Sequence, residues 1–153
     1  KVPFLRPKYL SQDKTSSVDS TKFFLNKINK SVDSFDLLQP TSPLRTKRDI
    51  INLHKFVEKH DFKSVVSISK LHNPSSKQYI LKDDFTLRKL NQNDLLKKIN
   101  VFFLNGSIYY NDIDSFLKYE KFIFKHTKGF KMTKKNSIDI DTHEDLKLAF
   151  KFK

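Results

Sequence analysis

Two acidic residues separated by a single position, Asp139 and Asp141, are the strongest candidates for chemistry in the sequence. They are predicted to lie at the end of a short strand over residues 137–140, and alternate residues of a strand point to the same face. Both carboxylates can therefore converge. Oxygen ligands of this kind suit Mg²⁺, which usually keeps water and substrate oxygens as its other ligands. The alternative is a pair of solvated acids that cap the next helix.

A second candidate is the loop of residues 39–45, which reads Gln-Pro-Thr-Ser-Pro-Leu-Arg. It follows a predicted buried strand, and open α/β sheets place ligand sites beyond the carboxyl ends of their strands. Pro40 and Pro43 forbid regular strand pairing and make the loop rigid. A structural turn is the alternative, but the polar side chains between and after the prolines favour a functional loop.

Composition excludes several kinds of catalysis. The 153 residues contain no cysteine and only two glycines, which excludes a thiol nucleophile, a thiolate zinc site and a complete glycine-rich phosphate loop. None of the five histidines belongs to a His-Glu-x-x-His motif, and all are expected at the surface. Without cysteine or an apolar run of roughly 18 residues, a cytoplasmic protein without a membrane partner is expected.

The chain is strongly basic, with 30 Lys and Arg against 17 Asp and Glu and a formal net charge of +13. Such a surface can mark nucleic-acid binding or attraction of anionic substrates. Nearly all of the basic residues are lysines, however, whereas readout of base edges favours arginine. General solvation is the simpler interpretation, and no specific nucleic-acid partner is expected.

The elements that must position these residues follow an α/β pattern. A helix capped by Ser16 or Ser17 precedes a strand over residues 35–38. An amphipathic helix over residues 46–60 and a β-branched strand over residues 64–69 come next. Strand, helix and strand at this spacing form a βαβ unit, which predicts a parallel sheet.

The second half of the chain is less regular. Residues 70–100 form a polar excursion, with a predicted strand at 78–81 and a helical turn at 94–99, which indicates an arm rather than more core. The remaining predicted strands are at 101–104, 107–110, 122–124 and 137–140, and a short helix is predicted at 112–119. Thr142, supported by Asp145, is expected to cap a last helix that turns Leu146 and Ala149 inward.

Three motifs, taken together, resemble those of a known family. Leu37–Arg45, Asn105–Tyr109 and Ser137–Thr142 stand in the order seen in the acylneuraminate cytidylyltransferases, which are the CMP-sialic acid synthetases and their legionaminate and pseudaminate relatives. The segment from Leu5 to Ser17 resembles the one that precedes the proline-rich loop of that family.

The resemblance implies an α/β fold of the Rossmann-like nucleotide-diphospho-sugar transferase type, with a mostly parallel sheet. Residues 1–153 would form one domain, and residues 70–100 a dimerisation arm inserted in it. Members of the family carry a further amino-terminal segment that helps to hold CTP. The chain is therefore expected to be the carboxy-terminal two-thirds of such an enzyme, truncated at its amino terminus and inactive by itself.

The implied reaction is transfer of CMP from CTP to the anomeric hydroxyl of a nine-carbon 2-keto sugar acid, which releases pyrophosphate and serves surface-glycan biosynthesis. Nucleotidyl transfer depends on positioning and charge neutralisation. Asp139 and Asp141 match the carboxylates that hold Mg²⁺ in the family, and Gln39 matches a glutamine that hydrogen-bonds the sugar.

The other residues that the resemblance implies surround the two substrates. Arg6, Thr15 and Ser17 match cytidine contacts, Tyr109 and Phe122 match a wall against the acyl substituent of the sugar, and Asn105 is expected to bind substrate. Lys77 matches a lysine that pairs with the sugar carboxylate across a homodimer. Two alternatives remain from the sequence: a non-catalytic descendant of this family, and a basic nucleic-acid-binding protein.

Overall fold

The computed structural model describes residues 4–28, 32–70, 78–91 and 100–152. Its strands are β1 (Ser34–Leu38), β2 (Ser64–Ser69), β3 (Gln78–Leu81), β4 (Leu87–Lys89), β5 (Val101–Asp112) and β6 (Lys128–Lys131). Its helices are α1 (Ser17–Lys27), α2 (Lys47–His60), α3 (Ile113–Tyr119) and α4 (His143–Phe150), with 3-10 turns at Lys8–Leu10 and Lys135–Ser137. None of the described helices is long and apolar enough to cross a membrane.

All six described strands belong to one sheet, and β5 is its central member. β5 is antiparallel to β2 along one edge, and it is antiparallel to β1 and β3 along the other. β6 pairs in parallel with β2, and β4 pairs antiparallel with β3. Consequently β1, β2, β3 and β6 run in one direction. β1 and β2 run parallel to each other, as the predicted βαβ unit requires. They are not neighbours, however, because β5 lies between them and pairs antiparallel with both.

The two strands predicted at 101–104 and 107–110 are one irregular strand. Val66 of β2 pairs with Tyr109 of β5. Ile68, two residues later on β2, pairs with Leu104, five residues earlier on β5. Gly106 lies inside this bulge with a φ of +67°, a left-handed conformation that glycine adopts without steric strain. The bulge turns the Asn105–Ser107 backbone out of the regular ladder, toward the loop that follows β1.

Apolar side chains cover both faces of the sheet. On one face Leu53 and Val57 of α2 pack against Val65 and Ile108, so the predicted amphipathic helix is confirmed. On the other face Val66, Ile68 and Phe102 form a second cluster. The sheet is thus fixed from both sides, which gives the loops at its end a rigid base.

The helix ends follow the predicted capping chemistry. Ser16 caps α1, because its hydroxyl accepts a hydrogen bond from the Asp19 N–H at 3.0 Å. Thr142 and Asp145 form a capping box at α4, as expected. Ala149 is buried, but Leu146 is 37% exposed, so the prediction that both turn inward is wrong for Leu146.

Two predicted strands are wrong. Residues 122–124 are irregular, and residues 138–140, which follow the 3-10 turn at Lys135–Ser137, belong to no strand. The helical turn predicted at 94–99 lies outside the described residues. Within the predicted arm, β3 and β4 join the main sheet, so this part is continuous with the core.

Candidate active site

The proline-rich loop is fixed to the sheet by Arg45. Its guanidinium Nη1 donates to the Gln39 carbonyl oxygen at 3.1 Å and to the Ser107 carbonyl oxygen at 2.7 Å. Partial burial lowers the pKa of Arg45, while the charge of Asp49 acts in the opposite direction. Arg45 therefore joins the loop after β1 to the bulge of β5, two of the three segments that carry the family motifs.

The third motif meets the other two at Gly106. A methyl group added to Gly106 would lie 2.9 Å from Asp139 Oδ2 and would overlap the Gln39 side-chain oxygen. The two oxygens therefore share the small volume above this glycine, and a larger residue there would displace them. This brings together two of the predicted catalytic residues, Gln39 and Asp139.

Asp139 is a partly buried carboxylate in an unfavourable electrostatic environment. Burial is the largest cause that raises its pKa, and the charges of Asp141 and Asp145 raise it further, whereas a hydrogen bond with the Thr41 side chain lowers it. Its Oδ1 atom is buried and has no hydrogen-bond partner among the described residues. Such an oxygen can accept a cation or a hydrogen-bond donor.

The segment that carries Asp139 is held by the proline-rich loop, not by a strand. The Ile140 N–H donates to the Thr41 carbonyl oxygen at 2.9 Å. Asp141 is exposed at the start of α4, where its N–H donates to Asp145 Oδ2 at 3.2 Å. The strand geometry predicted for the acidic pair is therefore wrong, because the loop and the helix cap set the direction of this segment.

Asn105 lies beneath the site. It is 4% exposed, and its Oδ1 accepts from the Ser67 hydroxyl at 2.6 Å and from the Ser107 N–H at 3.1 Å. Its Nδ2 donates to the Ser137 hydroxyl at 2.8 Å, two residues before Asp139. We correct the expectation of a direct substrate contact, because both ends of this amide are already used inside the protein.

The rings of Tyr109 and Phe122, the two residues predicted to form a wall against the sugar, pack against each other. Their ring centroids are 5.7 Å apart, and Phe122 also packs on Phe116 at 5.2 Å. Burial raises the pKa of Tyr109 to about 12, with a smaller contribution from the charge of Asp139. Tyr109 therefore stays neutral and lies within electrostatic reach of that carboxylate.

The predicted cytidine contacts are separate from this centre. Arg6 and Ser17 line a cleft of about 270 Å³ between α1 and β1. The Arg6 guanidinium donates to the hydroxyls of Ser11 and Ser20, at 3.2 and 3.4 Å. Thr15 does not line this cleft, and its hydroxyl donates to the Tyr9 carbonyl oxygen at 3.3 Å. Lys77 lies outside the described residues.

Sequence reasoning missed the pairing of Asp36 on β1 with His54 on α2. His54 Nε2 lies 2.6 Å from Asp36 Oδ2, and the imidazole also packs edge-on against Tyr110. His54 is still partly exposed, with 40% of its side chain accessible, so the expected surface position holds, but the sequence did not predict its partner. No sequence signal joins residues 18 positions apart on different elements.

Sequence comparison finds relatives of stated activity. The chain is 34% identical to an N-acylneuraminate cytidylyltransferase of Escherichia coli over an alignment of 155 residues. The alignment covers 95% of the chain and 35% of that protein. A Streptococcus agalactiae protein of the same name is 28% identical over 145 residues, covering 92% of the chain and 35% of that protein. The chain thus spans about a third of the length of these cytidylyltransferases.

A shorter relative matches over most of its own length. The CMP-N,N'-diacetyllegionaminic acid synthase of Legionella pneumophila is 34% identical over an alignment of 162 residues. The alignment covers 98% of the chain and 68% of that protein. No family model matches the chain.

Two solved structures share the fold. A CMP-2-keto-3-deoxy-manno-octonic acid synthetase, solved with CTP, superimposes with a TM-score of 0.69 at 13% identity over 90% of the chain and 67% of that protein. A 4-diphosphocytidyl-2C-methyl-D-erythritol synthase of Anaerococcus prevotii gives 0.54 at 16% identity, over 90% and 66% respectively. Both confirm the predicted Rossmann-like α/β fold. With 34% identity over two-thirds of the legionaminic acid enzyme, the chain belongs to the acylneuraminate cytidylyltransferase family.

Proposed function

We propose that this chain carries the sugar-activating centre of a cytidylyltransferase. The reaction joins the anomeric oxygen of a nine-carbon 2-keto sugar acid to the α-phosphorus of CTP, breaks the bond from that phosphorus to the bridging oxygen, and releases pyrophosphate. The observation that carries the proposal is the meeting of Gln39 and Asp139 above Gly106. The names of the relatives support the same chemistry.

In this proposal each residue of the centre has one task. The Gln39 amide hydrogen-bonds the sugar, and the Tyr109 and Phe122 rings pack against its acyl substituent. Arg45 holds Gln39 in place through the backbone at 3.1 Å. Because the surrounding elements fix these groups in advance, binding of the sugar also orients its anomeric hydroxyl for attack.

We further propose that Asp139 and Asp141 hold Mg²⁺. The residues fit such an ion, because Asp139 Oδ1 is a buried oxygen that lacks a partner in the described part of the chain, and hard oxygens are the ligands that Mg²⁺ prefers. The described residues contain no group of three or more acidic or histidine side chains placed to hold a metal ion, so in this proposal phosphate and water oxygens supply the other ligands. Bound there, the ion would neutralise phosphate charge and lower the pKa of the attacking hydroxyl.

The family resemblance also supports a cytoplasmic homodimer in which Lys77 of one subunit reaches the sugar carboxylate of the other. Light scattering of the full-length protein would then give twice the mass of one full-length subunit. A monomer that retains full activity would contradict the shared site.

The experiment that tests the proposed function is a pyrophosphate-release assay. The full-length protein would be incubated with CTP, Mg²⁺ and, in separate reactions, neuraminic, legionaminic and pseudaminic acids. We expect release with at least one of these acids and none with CTP alone. Binding of CTP without release for any of the three would instead support a non-catalytic member of the family.

A further inference from the structure

A second cleft, of about 580 Å³, lies at the carboxyl ends of β2 and β6. Lys70 directly follows β2, and Lys131 is the last residue of β6. Ligand sites of open α/β sheets lie beyond the carboxyl ends of such strands. The lining contains none of Gln39, Asp139 or Asp141, so the cleft is separate from the centre proposed above.

Positive charge dominates this cleft. Its lining includes four lysines (Lys70, Lys82, Lys131 and Lys134) and, in the described part of the chain, one acidic residue, Asp83. Several ammonium groups that converge on one concave surface repel one another and attract small anions. Part of the excess of positive charge is therefore gathered in this cleft.

Phe102 orients two of these lysines. The ring is 5% exposed and also lines the cleft. The ammonium groups of Lys70 and Lys131 lie 5.7 and 5.4 Å from its centroid, within the range of cation–π attraction. Lys70 additionally donates to Asn100 Oδ1 at 2.7 Å. Two cations are thus held over one ring before any ligand is present.

The chemistry of the cations indicates the ligand. The described lining holds lysines but no arginine, so it offers point charges and not the planar fork with which arginine binds carboxylates and phosphates through paired hydrogen bonds. Lysine acts as a compact point charge that binds phosphate oxygens. The volume lies within the range of small-molecule sites. We propose that this cleft binds a small phosphate-bearing molecule of two or more negative charges, through Lys70 and Lys131.

The test is calorimetric titration of the 153-residue chain with inorganic pyrophosphate, in EDTA and at fixed salt concentration. We expect the double variant Lys70→Gln/Lys131→Gln to bind at least about tenfold more weakly. The matched control, Lys59→Gln/Lys147→Gln, removes the same charge from exposed helical positions and should change affinity less than about twofold. Glutamine keeps most of the aliphatic stem, so both variants are expected to fold.

Two further measurements separate the proposal from its rivals. Backbone amide chemical shifts of Asn100 and Phe102 should move on titration with pyrophosphate, and citrate at equal charge should move them less. Equal weakening in both double variants, or equal binding of citrate, would overturn the proposal in favour of general charge attraction. Because the titration contains no Mg²⁺ and the described lining of the cleft contains none of Gln39, Asp139 or Asp141, its result does not depend on the proposed function.

Discussion

At the scale of single residues, the site depends on one glycine and one buried amide. Gly106 leaves room for the oxygens of Gln39 and Asp139, and Asn105 joins β5 to β2 and to the turn before Asp139. The Asn105–Tyr109 motif contains both residues, and the other two motifs contain Gln39 and Asp139. It could not show that Asn105 is internal, because its partners Ser67 and Ser137 are distant in sequence.

Replacing Gly106 with alanine should disturb the site directly. The added methyl group would collide with Gln39 and Asp139, and a φ of +67° is strained for alanine, which costs about 1 to 3 kcal/mol of unfolding free energy. Urea unfolding measures the loss. Ser107→Ala is the control, because it removes a buried hydroxyl that lacks a partner among the described residues and should be nearly neutral. Equal stability of the two variants would contradict the crowding above Gly106.

Replacing Asn105 with alanine distinguishes an internal residue from a substrate contact. Loss of the amide leaves the Ser67 and Ser137 hydroxyls with fewer partners, so the unfolding free energy should fall by about 1 to 3 kcal/mol. Urea unfolding of the chain without substrate measures this. Unchanged stability together with a raised KM for the sugar would restore the original expectation of direct contact.

The ionisation of Asp139 should make stability depend on pH. Its pKa is raised, so the folded state binds the proton more tightly than the unfolded state, and stability falls as pH rises through the interval between the ordinary and the raised value. Asp139→Asn should therefore unfold at a higher temperature than wild type at pH 7, and the difference should shrink toward about pH 4. Calorimetry across this range measures it, with the exposed Asp114→Asn as control. A less stable Asp139→Asn at pH 7 would contradict the assigned environment.

At the scale of elements, local sequence patterns predicted those helices and strands whose conformation depends mainly on their own residues. The caps of α1 and α4 and the strands β1 and β2 follow from residue type and spacing. β6 was missed because only Phe130 in its four residues favours a strand. The strand forms because it pairs with β2. Glycine is also needed at position 129, since a Cβ atom there would lie within 2.8 Å of the side chains of Leu81, Leu87 and Ile68.

The start of α2 links an element to the site. Thr46 accepts from the Asp49 N–H at 3.2 Å, and Asp49 Oδ2 accepts from the Thr46 N–H and from Asn136 Nδ2, both at 2.8 Å. Thr46→Ala should lower the unfolding free energy by about 1 kcal/mol, whereas Thr46→Ser should retain most of it. Urea unfolding of both variants checks this. A serine variant as unstable as the alanine variant would show that the hydroxyl does not act as a cap.

At the scale of the whole molecule, the family likeness predicted what local patterns could not. A strand–helix–strand pattern predicts an α/β sheet, but only the order of three motifs placed Gln39, Gly106 and Asp139 in one site. Pairing through β5 makes this possible, since it brings the loop after β1 and the segment before α4 to the same bulge. The net charge of +13 indicated anions in general, and the fold concentrates part of it in the lysine-lined cleft.

The most direct test of the central claim is the turnover of Asp139→Asn in the full-length protein with CTP, Mg²⁺ and the preferred sugar acid. Loss of a carboxylate beside the transferred phosphate should lower kcat at least about a hundredfold, while the exposed Asp114→Asn stays within about twofold of wild type. Turnover of Asp139→Asn close to that of wild type would contradict the account of this site.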